Sequence, residues 1–304
     1  MIAFVFPGQG SQYVGMGKDI AEKADGIFQD ASKVLGFDIL NLCINGPEGE
    51  LNKTENTQPA ILTVSYALLK EVESIGIKPA FVAGHSLGEY TAALCGGVFS
   101  FSDALKITKK RGILMQEAQP AGEGGMAAVL GLDEETLKNI CESIENFYVD
   151  LANLNCPGQI VISGEKEGIE RASLLAKEKG AKKVVPLQVS IPSHCKLMKS
   201  AAEKFKEFLL NFHFNDSSVP VVCNVDGIER KSAAEILEAF IKQLYSPVRW
   251  QDCVKSMISK GVDTFVEIGP GKVLSGLIRR IDSNVRIFNV DNLKDLEKLK
   301  EELK

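Results

Sequence analysis

Five residues, Gly84-His85-Ser86-Leu87-Gly88, constrain this chain more than any other stretch. A short apolar run at 80–83 leads into them, and the helix formers of 87–95 follow at once. Strand, glycine-bounded turn and helix in succession make the G-x-S-x-G elbow, where small residues permit a turn tight enough to push a serine hydroxyl out of a sheet. The helix that begins there aims its positive end at the same spot. An oxyanion forming on a carbonyl attacked by Ser86 would therefore meet the backbone N–H of Leu87. Glycine-bounded loops also match the bare pattern, so the rest of the chain must supply the sheet and the partners.

The flanking sequence predicts that sheet. Residues 2–6 are continuously apolar rather than alternating, as in a strand buried on both faces of a parallel sheet. Further apolar runs at 221–223, 264–268 and 285–290, separated by helical stretches, extend an α/β pattern with a mostly parallel sheet. From about 125 to 190 the rhythm changes. Strand (126–130), helix (134–144), strand (148–154), strand (159–163), helix (165–179) and strand (183–189) give the βαββαβ order of a ferredoxin-like unit. Gly122 to Gly125 before it and Pro192 after it read as hinges. The expected organisation is a large α/β domain of residues 1–124 and 191–304, with a small domain, 125–190, inserted so that a cleft lies between them. The Lys/Glu-rich tail from Leu293 reads as a solvated terminal helix.

Composition narrows the function classes. The chain has 304 residues, 45% of them apolar, enough to bury a large core. A net charge of −5 gives no support to a nucleic-acid-binding surface. Seven cysteines stand singly with no C-x-x-C pair, as expected of reduced thiols in a cytoplasmic protein. The first apolar run is stopped by Pro7-Gly8, too short for a signal peptide or a membrane span. No metal-ligand spacing is present, and no resident cofactor is expected. A monomer is the expected state.

A serine nucleophile needs a base, and the chain offers three histidines. His85 adjoins Ser86, and neighbouring side chains on a sharp turn diverge, so it packs or orients the elbow. His213, in Asn-Phe-His-Phe-Asn, reads as a partly buried packing residue. His194, in Ser190-Ile-Pro-Ser-His-Cys, sits where the insertion returns to the large domain and is the base by position and by elimination. Thiol chemistry at Cys195 is disfavoured because adjacent residues rarely form a nucleophile–base pair.

Arg111 lies on a helix expected from Ser102, preceded by the capping-box spacing Ser100-x-x-Asp103. Ala104, Ile107, Leu114, Met115 and Ala118 form an apolar stripe with Arg111 at its centre, while Lys106, Lys109 and Lys110 lie outside it. An inward guanidinium requires an anion. Either a structural carboxylate pairs with it, or it clamps a substrate carboxylate through two parallel hydrogen bonds. The loop Gly8-Gln9-Gly10-Ser11-Gln12-Tyr13 is neither a dinucleotide fingerprint nor a P-loop. Its glycines let the backbone near Gln9 approach a ligand closely, as a second oxyanion donor would.

Taken together, Phe6-Pro-Gly-Gln-Gly-Ser-Gln12, the elbow continued through Glu89-Tyr90, Arg111-Gly-Ile-Leu-Met-Gln116, Asn155-Cys-Pro-Gly-Gln159, Pro192-Ser-His-Cys195, Pro247-Val-Arg-Trp250 and Glu267-Ile-Gly-Pro-Gly271 resemble the bacterial malonyl-CoA:acyl carrier protein transacylases of fatty-acid synthesis. The likeness runs in order over nearly the whole chain and extends to the acyltransferase domains of polyketide synthases. It implies a hydrolase-like α/β domain with a ferredoxin-like insertion. It also implies Ser86 as the acylated nucleophile, His194 as its base, Arg111 as the anchor of the malonyl carboxylate, and the N–H groups of Gln9 and Leu87 as the oxyanion hole. By the same likeness a main-chain carbonyl, at Gln243, holds the histidine, and Asn155 near the cleft positions the acyl group or the loop carrying it. The implied partners are malonyl-CoA and an acidic acyl carrier protein. Lys109, Lys110, Lys182, Lys183, Arg279 and Arg280 are docking candidates by charge alone, and a solvated surface charge is the stronger reading of each. A serine hydrolase, a non-catalytic carrier-docking module and a polyketide-type enzyme loading a branched malonyl unit are the competing readings.

Overall fold

The structure, a computed structural model, describes residues 1–118, 122–187 and 191–303. The apolar run at the start forms β1 (Ile2–Phe6), followed by helices α1 (Asp25–Leu35), α2 (Ile39–Asn45), α3 (Glu48–Leu51) and the long α4 (Thr54–Ser74). The elbow segment then supplies β2 (Phe81–Gly84) and α5 (Gly88–Cys95), with α6 (Phe101–Glu117) after it. A second unit comprises β3 (Gly124–Leu130), α7 (Glu134–Glu142), β4 (Val149–Cys156), β5 (Gln159–Glu165), α8 (Lys166–Glu178) and β6 (Lys183–Pro186). The remainder is α9 (Lys199–Leu209), β7 (Val221–Val222), β8 (Glu229–Arg230), α10 (Ala233–Gln243), α11 (Trp250–Ser259), β9 (Thr264–Ile268), α12 (Val273–Ile281), β10 (Arg286–Val290) and α13 (Leu293–Leu303).

The first sheet has the order β10-β9-β1-β2-β7-β8. Every pairing in it is parallel except the short β7–β8 edge. β1 lies between β2 and β9, and Ala3 to Phe6 are fully buried, which explains an apolar run without alternation. The second sheet, order β4-β5-β3-β6, is wholly antiparallel. That order and the βαββαβ succession are those of a ferredoxin-like unit. Its own core, with Leu137, Ile140, Ile162, Ile169 and Ala172 among its members, is separate from the large cluster around the first sheet.

The two units are joined by backbone. Val248 and the middle of β4 exchange hydrogen bonds, Leu154 N–H to Val248 O and Val248 N–H to Ala152 O, both 2.8 Å. Arg280 on α12 donates to Gln159 and to the Pro157 carbonyl at the β4–β5 turn. The expected hinges meet each other, since a Cβ at Gly124 would stand 2.6 Å from the Pro192 ring.

Several boundaries differ from expectation. α6 starts at Phe101, with Ser100 as N-cap accepting from the Asp103 N–H and donating to its carboxylate. β6 ends at Pro186, and the expected continuation through 188–189, like residue 190, lies outside the described residues. The terminal helix α13 is amphipathic rather than fully solvated, with Leu296 and Leu299 buried. Among the described residues no helix is long and apolar enough to cross a membrane.

Candidate active site

The elbow forms because its glycines leave no alternative. A Cβ on Gly84 would lie 1.9 Å from the Gly88 carbonyl carbon, and one on Gly88 would lie 2.0 Å from the Phe6 oxygen. The turn leaves Ser86 at φ 51°, in the left-handed region. A non-glycine residue held there costs roughly 1–3 kcal/mol unless its surroundings fix it. They do so on both sides of the residue. The Ser86 N–H donates to Asn224 Oδ1 (2.7 Å), whose Nδ2 donates in turn to the Gly84 carbonyl (2.7 Å). The Ser86 carbonyl accepts from Gln243 Nε2 (2.9 Å).

His194 is also left-handed, at φ 62°, and buried. Its Nε2 lies 2.8 Å from Ser86 Oγ, and its Nδ1 lies 2.8 Å from the Gln243 carbonyl oxygen. A carbonyl can only accept, so Nδ1 carries the proton and Nε2 presents its lone pair to the serine hydroxyl. That is the tautomer a general base needs. The orienting group is a neutral carbonyl, and among the described residues no carboxylate completes a triad.

Burial, reinforced by the nearby Arg111 charge, pulls the His194 pKa down to about 3. The neutral base thus persists in acid. Acylation of Ser86 is expected to hold level from about pH 8 to about pH 5, with no inflection near the ordinary histidine value of about 6.5. A pH series of single-turnover rates checks this, and a fall centred near 6.5 would show a solvated imidazole. The same depression makes the fold lose stability as pH drops below the unfolded histidine value, because the unfolded chain then binds the proton and the folded one does not.

Arg111 is 1% exposed. Its Nη1 donates to Gln58 Oε1 (2.9 Å), and its Nη2 to Gln243 Oε1 (3.0 Å) and Ser86 Oγ (3.1 Å). The guanidinium carbon lies 5.2 Å from the centre of the Tyr90 ring. Nε has no partner, and among the described residues Arg111 forms no ion pair. Of the two readings open from sequence, the structural salt bridge is therefore absent. What remains is an inward cation without a direct ion pair, 3.1 Å from the hydroxyl of the elbow.

A cavity of about 540 Å³ opens over this group, walled by both units: Gln9, Ser86, Arg111 and Leu277 on one side, Asn155 and Val161 on the other. Among the described residues the backbone N–H groups of Gln9 and Leu87 have no acceptor within the protein, as donors reserved for a ligand oxygen would. The Gln9 side chain reaches Thr54 Oγ1 (3.2 Å). Asn155, in the cavity wall, accepts at Oδ1 from His85 Nε2 (2.8 Å), so its side chain steadies the elbow. His85 orients the elbow as expected, whereas His213 is exposed and bonded to Asn215, not packed.

The basic candidates separate. Lys109 donates to the Leu35 carbonyl and Lys110 lies over the Phe208 ring, both on α6. Arg280 stands at the cleft rim through Gln159, which lines the cavity. Three contributors escaped sequence reasoning: Gln58, Asn224 and Glu89. Asn224 follows β7 at the carboxyl end of a parallel strand, the edge where such sheets place their ligands, and that position was its signal. Gln58, within the largely buried α4, has none.

Residues 3–295 match the family model of the acyl transferase domain. Over 301 residues the chain is 50% identical to the malonyl CoA-acyl carrier protein transacylase of Bacillus subtilis (strain 168), covering 97% of this chain and 95% of that one. An acyl carrier protein S-malonyltransferase from Vibrio cholerae superposes with a TM-score of 0.96 at 46% identity, over 98% of this chain and 99% of the other. A malonyl-transacylase solved in complex with a type II PKS acyl-carrier protein superposes with a TM-score of 0.97 at 45% identity, over 99% of both chains.

Proposed function

The chain belongs to the acyl transferase family, and from that premise we propose that it moves a malonyl group from malonyl-CoA to the phosphopantetheine thiol of an acyl carrier protein, supplying extender units for fatty-acid synthesis. The observation that carries this reading is Arg111, a buried guanidinium without an ion pair, 3.1 Å from Ser86 Oγ. A carboxylate on the acyl group transferred to Ser86 would reach it, and an uncharged acyl group would leave it unmatched.

Two exchanges follow from the geometry. In the first, His194 Nε2 takes the Ser86 proton as Oγ attacks the thioester carbonyl, whose oxygen turns toward the N–H groups of Gln9 and Leu87. The tetrahedral intermediate collapses, and coenzyme A leaves as the thiol with the proton that His194 held. In the second, His194 takes the proton of the carrier's thiol, and the thiolate attacks the malonyl-serine ester. Collapse returns the proton to Ser86 and releases the malonyl thioester of the carrier. The carbonyl of Gln243 steadies the transient imidazolium throughout, and Asn155 holds the elbow through His85. Coenzyme A enters and leaves as substrate, and no step requires another cofactor. In this reading the enzyme acts as a monomer in the cytoplasm. In this reading residues 1–124 and 191–304 carry the chemistry, and the insertion, 125–190, roofs the cleft.

Intact-mass measurement tests the proposal. The protein should gain one malonyl group from malonyl-CoA, little from acetyl-CoA, and lose it much faster with carrier protein than in buffer alone. No adduct from any donor overturns the transferase reading. Equal discharge with and without carrier would identify a hydrolase.

A further inference from the structure

Glu89 stands three residues after the nucleophile, fully buried on a helix whose other members, Tyr90 to Leu94, are mostly apolar. A carboxyl group there is costly, and packing alone would be served by leucine or methionine. Its Oε2 accepts two hydrogen bonds, from the Asn224 backbone N–H (2.8 Å) and from Gln243 Nε2 (2.9 Å), while among the described residues Oε1 has no partner. Those two partners are the residues that grip the Ser86 peptide from either side.

The carboxamide of Gln243 is nearly symmetric in shape, so packing cannot decide which end faces which neighbour. Three neighbours decide it, one of them the Ser86 carbonyl, which accepts from Nε2 at 2.9 Å. Glu89 Oε2 can only accept from one side, which draws Nε2 toward it, and Oε1 then faces Arg111 Nη2 at 3.0 Å. Reversing the amide would set an N–H against the guanidinium and an oxygen against the carboxyl. The charged form of Glu89 also favours the Arg111 cation.

We propose that Glu89 is a positioning residue for acyl loading: acting through Gln243 and Asn224, it fixes the orientation of Arg111 and the left-handed peptide of Ser86. This inference rests on the malonyl-transfer reading of the site. Burial pushes the carboxyl up to about 7, with Arg111, Tyr90, Cys223 and Cys253 as the charged or titratable groups around it. Either protonation state serves, because a proton placed on the unpartnered Oε1 leaves Oε2 free to accept.

Glu89→Gln can set its carbonyl in place of Oε2 and its amide in place of Oε1. Glu89→Met fills the volume and removes the acceptor. Malonyl and acetyl loading of Ser86 are to be timed by mass in the wild type and both variants, beside thermal melts. Glu89→Met, folded, should load malonyl about a hundredfold more slowly, the order expected when a reacting group is displaced by about 1 Å. Its acetyl loading should fall less, narrowing selectivity, and Glu89→Gln should recover most of the lost rate. A folded Met variant with wild-type rate and selectivity overturns the inference, as does a Gln variant as slow as Met. If Met yields no folded protein, Glu89→Asp, which withdraws the acceptor by one methylene, takes its place, and a wild-type rate there overturns it equally. A wild type that takes no malonyl sinks the reading of the site and this inference with it, whereas a normally loaded wild type beside an unaffected variant sinks this inference alone.

Discussion

Ser86→Ala is expected to abolish the malonyl adduct and to slow carrier malonylation by roughly 10⁴- to 10⁶-fold. The magnitude follows from the geometry. The hydroxyl sits 2.8 Å from its base and 3.1 Å from the guanidinium, and the turn bearing it is held by Asn224 and Gln243 independently of the hydroxyl. The variant therefore keeps its fold and its cleft while losing the atom proposed to carry the acyl group. His194→Ala should cost nearly as much, and the double variant little more than either, because nucleophile and base act as one unit. Residual turnover would reflect binding and the N–H groups of Gln9 and Leu87 alone. Intact mass and single-turnover transfer read both effects. An adduct of undiminished yield in Ser86→Ala would mean that another residue is acylated, and a Ser86–His194 double variant far slower than either single one would mean that the two do not work together.

How much of this was legible beforehand depended on whether a residue's role is local. The elbow was, because strand, glycine turn and helix are contiguous and the glycines are sterically forced. So was the inward face of Arg111, since helical periodicity fixes which side chains share a stripe. The ferredoxin-like order was readable from six successive elements, and the sheet confirmed it strand by strand. His194 was found by elimination only because histidines are few. What the sequence could not show are relationships closed across more than fifty residues: Asn224 on the Ser86 amide, Glu89 on Gln243, Gln58 on Arg111. An amide residue has no pattern of its own, and its meaning is the partner that folding brings to it. Gln243 shows the difference within one residue, since family resemblance supplied its carbonyl, but its side chain links four other polar residues of the site in ways no spacing encodes. The alternatives open for Arg111 closed for the same reason, because only three dimensions reveal that no carboxylate pairs with it.

Arg111→Ala is expected to exchange rate for tolerance. Truncating one partner of a buried, hydrogen-bonded charge pair costs about 2–5 kcal/mol, which is about 30- to 5,000-fold in malonyl loading. Acetyl loading should be spared, because nothing on an acetyl group meets the guanidinium, and the vacated space between Gln58 and Gln243 can take water. The malonyl-to-acetyl preference should collapse by the same factor. Arg111→Lys should restore little, since an ammonium reproduces the charge but not the planar fork that meets Gln58 and Gln243 together. Arg111→Met separates function from stability. The guanidinium is buried without a directly paired carboxylate, and a methionine, though shorter, removes that desolvation cost while filling most of the space of the stem. The Met variant should therefore melt no lower than the wild type while sharing the Ala variant's loss of preference, the trade expected where a site stores unfavourable charge for its substrate. Competition between the two donors, read by intact mass, together with thermal melts, tests both halves. A variant that kept its preference for malonyl would place the carboxylate elsewhere in the cleft, and a Met variant much less stable than the wild type would make Arg111 a structural residue first.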